Sequence, residues 1–279
     1  MKSILCPVDF SAASLNALEF AAALAHKFGS ALHLINVYTE SDLESILRTE
    51  DIGSAFQNQL ETAELKLQAI RHAIAGDSSV GKIGRLTCAV KTGELDEVLA
   101  GVASEMNTDL IVVGTTGVSN LREHYFGSKA LKLIRQAAYP VLCVPDTHQY
   151  HGINRIVYAS DYQEEDKIAI PITAAFAEAL DADLEVLHIS HHDHLIDKAI
   201  YDEFLQEIRL FAKYDRLAFT REVFSDTARG IVHHMNSSGS DLLVLLDKQR
   251  SWLAEFFHSS LSQDLALFSV FPFLVMRIR

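Results

Sequence analysis

A glycine-rich stretch, GTTGVSNLREHYFGS at residues 114–128, contains residue types that can bind phosphate. Gly114 and Gly117 permit positive backbone angles and let a ligand approach the main chain closely. Gly127 and Ser128 open the helix-like segment SKALKLIRQAA, whose first amide groups and positive dipole end favour an anion. The spacing therefore predicts a phosphate site. The alternative is a long loop in which four small residues only form turns.

A second glycine-rich segment, GDSSVGKI at residues 76–83, differs by one residue from the phosphate loop G-x4-G-K-[ST]. Ile83 stands where that motif needs a magnesium-binding Ser or Thr. The segment also follows a predicted helix and precedes a predicted strand, which reverses the order that the motif requires. We therefore expect a loop without a ligand here. The sequence contains no evident Ser/His/Asp arrangement and no cysteine beside an activating base.

The segments that would position the glycine stretch alternate between short apolar runs and helix-like runs. The runs ILCPV, LHLINV, RLTCAV, DLIVVG and VLCVP are rich in Val, Ile and Leu, as is typical of parallel strands covered on both faces. This alternation predicts an α/β fold with a doubly wound, Rossmann-like parallel sheet. With the strand order 3-2-1-4-5 the first and fourth strands are neighbours. Asp9 and Gly114 would then face one crevice beyond the carboxyl ends of these strands.

The chain carries this layout twice. Residues 4–37 align with residues 156–189 at a constant offset of 152, and towards the end of each copy the offset becomes 132, so that Asp109 matches Asp241. The first copy therefore carries about twenty extra residues in its middle, and the pattern is a tandem repeat. We predict two doubly wound domains in tandem, residues 1–148 and residues 149–279.

The second copy keeps the strand and the helix around the glycine stretch but not the glycines. At the positions aligned with Gly114, Gly117, Gly127 and Ser128 it has Leu246, Gln249, Ser259 and Ser260. If the fold itself required these glycines, the second copy should need them too. The comparison therefore predicts phosphate binding in the first copy and a degenerate motif in the second.

The second copy has its own group of side chains that can bind a metal, in the segment LHISHHDH. The candidate ligands, together with two more distant histidines, are His188, His191, His192, Asp193, His194, His233 and His234. A zinc site needs three or four ligands that converge in space. Because His188 aligns with Asn36 near a strand end, we expect a packed or hydrogen-bonded role for it, with metal binding as the alternative.

Composition narrows the classes of partner. The chain has a formal net charge of -13 and no run rich in Lys or Arg, which argues against a nucleic-acid surface. Cys6, Cys88 and Cys143 lack the spacing of a zinc or redox motif, so we expect buried free thiols in a reducing compartment. The apolar part of MKSILCPVDF is too short for a signal peptide, and LALFSVFPFLVM is too short to cross a bilayer. We expect a cytoplasmic protein that does not bind membranes.

Beyond these patterns, the arrangement G-x2-G-x9-G-[ST], with DLIVVG before it and YPVLCVP after it, resembles the nucleotide-binding signature of the universal stress protein family. The opening ILCPVDFS also resembles the first strand and turn of that family. The resemblance extends through both copies. It implies a tandem universal stress protein whose first domain binds ATP or a related adenine nucleotide, and a regulatory role in the stress response. Whether Mg²⁺ accompanies the nucleotide stays open.

The resemblance also implies roles for individual residues. The adenosine end would be lined by Pro7, Val8 and Asp9, with Val37 and Val113 packed against the base. The phosphates would be held by Gly114, Gly117, Gly127 and Ser128, with the backbone amides of Lys129 and Ala130. The alternative for Asp9 is that its carboxylate caps the helix that begins near Ser11. At the aligned Asp161, where no phosphate loop lies opposite, capping is the favoured role.

Two further expectations concern assembly and turnover. By the same resemblance, the two copies would pack as an internal pseudo-dimer through VLCVP and FLVMR, and a homodimer is a further alternative. Slow ATP hydrolysis is the rival to a nucleotide-linked switch, since Arg122 could stabilise phosphate charge and His124 could position water. A structural module without a ligand is the third alternative.

Overall fold

A computed structural model describes residues 1–39, 52–76, 83–115, 132–134, 138–191, 196–247 and 270–278 of the chain. Among these residues, those up to Asp146 form one compact unit and those from Thr147 onward form another. We call them the first unit and the second unit. None of the described helices is long and apolar enough to cross a membrane.

The first unit is a parallel sheet with helices between its strands. Its strands are β1 (Ser3–Pro7), β2 (Ala31–Tyr38), β3 (Arg85–Thr92), β4 (Leu110–Thr115) and β5 (Val141–Pro145). Its helices are α1 (Ala12–Phe28), α2 (Ile52–Gly76) and α3 (Leu95–Glu105). The strand order is β3-β2-β1-β4-β5, with every pairing parallel.

The second unit has the same arrangement. Its strands are β6 (Arg155–Ala159), β7 (Asp183–Ser190), β8 (Leu217–Val223), β9 (Leu242–Asp247) and β10 (Phe273–Arg277). Its helices are α4 (Asp166–Leu180), α5 (Ile196–Ala212) and α6 (Thr227–Ser238). The order β8-β7-β6-β9-β10 is again 3-2-1-4-5 with parallel pairings. The predicted fold class, two doubly wound parallel sheets in tandem, is confirmed.

Both units use the same carboxylate to fix the start of their first strand. Asp109 Oδ2 accepts hydrogen bonds from the backbone amides of Lys2 and Ser3. In the second unit the aligned Asp241 Oδ2 accepts from Asn154 N at 2.7 Å and from Arg155 N at 2.9 Å. The aligned pair identified in the sequence therefore performs one structural task twice. These bonds satisfy backbone donors at the amino ends of β1 and β6.

Strands β1, β4, β5 and β9 are largely buried, as their runs of Val, Ile and Leu predict. Cys6 and Cys143 are buried within them, Cys88 is half-buried on β3, and all three thiols are free. Burial raises the pKa of Cys6 to about 12, so its thiol stays protonated. The predicted buried free thiols are thus confirmed for two of the three positions. Of the second glycine-rich segment, residues 77–82 lie outside the described residues.

Candidate functional site

The carboxyl ends of β1 and β4 lie side by side at the centre of the first sheet. Strand β1 pairs with β2 on one side and with β4 on the other, and Ile4 is opposite Leu110. The chain winds outward from β1 in one direction through β2 and in the other through β4, which makes this edge the topological switch point. The turn after β1, with Asp9, therefore lies at the same edge as Val113 and Gly114.

The turn after β1 is organised by Asp9 and Ser11. Asp9 Oδ1 accepts hydrogen bonds from Ser11 N at 3.0 Å and from Ser11 Oγ at 2.5 Å. Ser11 is the N-cap of α1, and its Oγ accepts from Ser14 N at 3.2 Å. Partial burial acts to raise the pKa of Asp9, but the bonds from Ser11 outweigh it and lower the pKa. Asp9 is thus an ionised acceptor that supports the cap, rather than the cap itself.

Asn36 links the carboxyl ends of β1 and β2. Its Nδ2 donates to Val8 O at 2.7 Å, and Val8 N donates to Ile35 O at 2.8 Å. Asn36 is only 5% exposed, and its Oδ1 is buried without a hydrogen-bond partner among the residues that the structure describes. Sequence reasoning used Asn36 only as an alignment partner and missed this role. The predicted contact residue Val37 follows it directly and is half-buried.

The second unit makes the equivalent link with His188. Its Nδ1 lies 2.8 Å from Ser160 O, and Ser160 aligns with Val8. Its ring also stacks on Tyr162, with the ring centroids 4.0 Å apart. The predicted hydrogen-bonded role of His188 is confirmed.

The other members of the histidine group do not join His188. His191 Nε2 lies 2.9 Å from Thr227 Oγ1, His233 packs against Phe224, and His192, Asp193 and His194 lie outside the described residues. Within the described part of the chain, no three His, Cys, Asp or Glu side chains are placed to hold a metal ion. His234, also on α6, has carboxylate partners of its own.

Gly114 has a packing reason that the sequence did not reveal. A Cβ atom at this position would lie 2.3 Å from Ala13 O and 2.7 Å from Ser14 N, so the glycine lets the first turn of α1 lie against β4. At the aligned position the second unit has the buried Leu246. Helix α4 begins at Asp166, which aligns with Ser14, two residues after the start of α1. The later start of α4 therefore offers a packing explanation for the absence of this glycine from the second copy, beside the predicted loss of phosphate binding.

Thr115, the last residue of β4, is a further polar side chain at this edge. It is 2% exposed, and its Oγ1 has no hydrogen-bond partner within the described part of the chain. In the second unit the aligned residue is Asp247, whose Oδ2 accepts from Arg277 Nε at 2.7 Å. The second unit thus places an ion pair where the first places an unbonded hydroxyl.

The remainder of the glycine stretch lies outside the described residues. This holds for Gly117, Gly127, Ser128, Lys129 and Ala130, for Arg122 and His124, and for Gln249, Ser259 and Ser260 of the second copy. The assignment of these residues to phosphate binding or catalysis stays a prediction. The described part of the site consists of the β1 turn, the end of β2 and the last residues of β4.

Comparisons with known proteins agree with this architecture. The model of the universal stress protein family matches residues 1–145. Universal stress protein G of Salmonella typhimurium is 30% identical over 146 residues, which cover 51% of this chain and 98% of that protein. A universal stress protein structure from Archaeoglobus fulgidus has a TM-score of 0.79 at 16% identity and covers 99% of this chain and 98% of its own. A putative universal stress protein structure from Pseudomonas aeruginosa has a TM-score of 0.64 at 18% identity, with 99% and 93% covered.

Proposed function

Because the chain belongs to the universal stress protein family, we propose that its first unit binds an adenine nucleotide, with ATP as the expected ligand, and acts as a nucleotide-linked conformational switch in the stress response. The observation that carries the proposal is the pairing of β1 with β4 at the switch point of the first sheet. Ligands of doubly wound sheets bind in the crevice at this edge. The glycine stretch leaves β4 at the same point.

Polar atoms at this edge are suited to such a ligand. Asn36 Oδ1 and Thr115 Oγ1 are buried, and neither has a hydrogen-bond partner among the described residues. An unsatisfied buried polar atom costs about 1–3 kcal/mol, and a ligand that bonds to it recovers part of that cost. The Asp9 carboxylate is an acceptor for the ribose hydroxyls, and Val37 and Val113 supply apolar surface for the base.

The phosphates would be held by the glycine stretch. The backbone amides after Gly114 and Gly117, the hydroxyl of Ser128 and the amides of Lys129 and Ala130 are the proposed donors. If Mg²⁺ accompanies ATP, it would neutralise phosphate charge in a chain whose net charge is -13. The second unit, with Leu246 and the Asp247–Arg277 ion pair at the aligned edge, is not proposed to bind the nucleotide.

The proposed mechanism is ligand linkage. A nucleotide that binds only the closed, folded first unit stabilises that unit by RT ln(1 + [L]/Kd), which is about 2.7 kcal/mol at a hundredfold excess over Kd. The Asp9–Ser11 turn and the loop after β4 are the segments that a bound ligand would hold together. Such a switch requires no turnover.

We expect purified protein to release an adenine nucleotide when it is denatured, and ATP to raise the melting temperature of the first unit. Replacing Gly127 by Val should abolish nucleotide retention, because the side chain would occupy the space through which phosphate approaches the main chain. The aligned Ser259→Val in the second unit is the matched control and should leave retention unchanged. Mass spectrometry of the released molecule and thermal unfolding with and without ATP measure both effects.

Other outcomes of the same experiment distinguish the alternatives. Steady release of ADP in the presence of Mg²⁺, abolished by His124→Ala, would favour slow hydrolysis over the switch. No released nucleotide and no thermal shift with ATP would favour a structural module. Equal retention by the Gly127→Val and wild-type proteins would contradict the assignment of the phosphate site, even if a nucleotide is bound.

A further inference from the structure

The second unit contains a buried charge cluster centred on one histidine. His234, on α6, is 6% exposed and lies between a glutamate on β7 and a glutamate on the edge strand β8. Its Nδ1 is 2.7 Å from Glu222 Oε1, and its Nε2 is 3.1 Å from Glu185 Oε2. The Nδ1 contact is a hydrogen bond, whereas the Nε2 contact is an ion pair whose angle is not that of a hydrogen bond. One imidazole therefore joins three elements of the sheet edge.

Both of these contacts require a proton on the ring nitrogen. A neutral imidazole carries one N–H, so one of its nitrogens would direct a lone pair at a carboxylate oxygen no more than 3.1 Å away. Such a contact is repulsive. The doubly protonated imidazolium donates to Glu222 through Nδ1, holds a positive charge beside Glu185, and so offsets the charge of two neighbouring carboxylates. The geometry thus fits the charged form of His234.

The groups around the cluster support the same charge state. Thr220 Oγ1, on β8, donates to Glu185 Oε1. This is the carboxylate oxygen that does not contact His234. Arg155, on β6, acts on Glu185 through its charge and donates to Ser238 O at the end of α6. The pKa of His234 is raised, first by Glu185 and also by Glu222, against the opposing effect of burial. The pKa of Glu185 is lowered, first by its contact with His234.

We propose that His234, Glu185 and Glu222 form a proton-dependent latch that holds the edge strand β8 and helix α6 to β7. With the proton bound, the imidazolium contacts both carboxylates and holds β8 and α6 to β7. When the proton leaves, two carboxylates face a neutral ring, and the contact that joins the three elements is lost. At the position aligned with Glu185 the first unit has His33, which lies 2.6 Å from Thr87 Oγ1, so this cluster is not repeated among the described residues of that unit.

The sign of the pH dependence follows from the two shifts. A histidine whose folded pKa is raised stabilises the fold fully below its unfolded pKa, near 6.5, and this contribution is lost as the pH rises through the folded pKa. A glutamate whose folded pKa is lowered contributes above its unfolded pKa and loses its contribution only as the pH falls through the folded value. The latch is therefore closed in mildly acidic solution and opens as the pH rises through the folded pKa of His234.

Urea unfolding of the full chain at a series of pH values between 6 and 9 tests the latch. Within the window between the unfolded and folded pKa of His234, one bound proton makes the unfolding constant of the second unit rise up to about tenfold per pH unit. His234→Gln should remove this rise. His233→Gln, at the exposed neighbour on the same helix, is the matched control and should retain it. Equal pH profiles for the His234→Gln and wild-type proteins would overturn the proposal.

Titration of the imidazole signal of His234 by NMR in the wild-type chain keeps the test independent of whether the variant folds. We expect the midpoint of His234 to lie above the ordinary histidine value, near 6.5, and to shift downward in Glu222→Gln. A role in packing alone would leave the midpoint unchanged by Glu222→Gln. A His234 that stays neutral throughout, with a glutamate carrying the proton, would also overturn the proposal.

Discussion

Replacement of Gly114 by Ala is expected to lower the free energy of unfolding of the first unit by about 3 kcal/mol or more. The added methyl group would lie 2.3 Å from Ala13 O, a distance that no Cβ contact tolerates. The obstructing atoms belong to the backbone of α1 and cannot rotate away. The first turn of α1 would have to move off β4, and the cap at Ser11 would move with it.

The matched control is Gly101→Ala. Gly101 lies inside α3, and a Cβ atom there would meet no atom within 4 Å. Because alanine is the better helix former, this change is expected to stabilise the protein by up to about 1 kcal/mol. Urea unfolding followed by circular dichroism, with hydrogen exchange resolved to the first unit, compares the two variants. A Gly114→Ala protein as stable as the Gly101→Ala protein would show that the close approach of α1 to β4 is not required.

This prediction separates two reasons for the glycines of the first copy. Gly114 is required for the contact between α1 and β4, so its substitution should lower the stability of the first unit whether or not a ligand is bound. Gly127→Val is proposed to act on the ligand while the unit stays folded. Nucleotide retention measured together with stability distinguishes the two cases. A loss of retention without a loss of stability at Gly127 assigns that glycine to the phosphates.

The order of the strands could be predicted because it depends on local patterns. Short Val- and Ile-rich runs that alternate with helix-like runs permit few arrangements, and the internal repeat supplies the same pattern twice. The bond of His188 to Ser160 O could be anticipated for a related reason, since its alignment with Asn36 placed it at a strand end. The sequence therefore predicts best those structural features that the two copies have in common.

The contacts that differ between the copies could not be predicted in this way. The clash that makes Gly114 necessary involves Ala13, which is about a hundred residues away and depends on where α1 begins. His234 was considered only as a distant metal ligand, because nothing in its own segment indicates that Glu185 and Glu222 converge on it. Such contacts are set by the register of β7 and β8 and by the rotation of α6 about its axis. No periodicity of the sequence specifies these.

The second large effect is expected at the start of α4, where Asp166 is 1% exposed. Its carboxylate accepts from Tyr158 Oη and from Ser160 Oγ, both at 2.7 Å, and from the backbone amides of Asp161 and Gln163. Asp166→Ala would leave two buried hydroxyls and two amides without an acceptor. At about 1–3 kcal/mol for each orphaned buried donor, we expect the second unit to lose about 4 kcal/mol of stability.

Two substitutions bracket this prediction. Tyr158→Phe removes a single donor and leaves the carboxylate bonded to Ser160, so we expect a loss of about 1 kcal/mol. Ser14→Ala changes the aligned position in the first unit, where the side chain donates to Ser11 O at 3.0 Å, and should cost no more than Tyr158→Phe. Urea unfolding with hydrogen exchange resolved to each unit measures all three. An Asp166→Ala protein no less stable than the Tyr158→Phe protein would contradict the assignment of the carboxylate as the common acceptor.

The Asp166 network also bears on why only one unit is proposed to respond to a nucleotide. In the second unit the turn after β6 is held from within, because the amides of Asp161 and Gln163 already bond to a buried carboxylate. In the first unit the aligned residue is Ser14, and the turn after β1 depends on the exposed Asp9 and on Ser11. ATP should therefore raise the stability of the wild-type first unit and leave that of the second unchanged. An equal effect of ATP on both units would contradict this division.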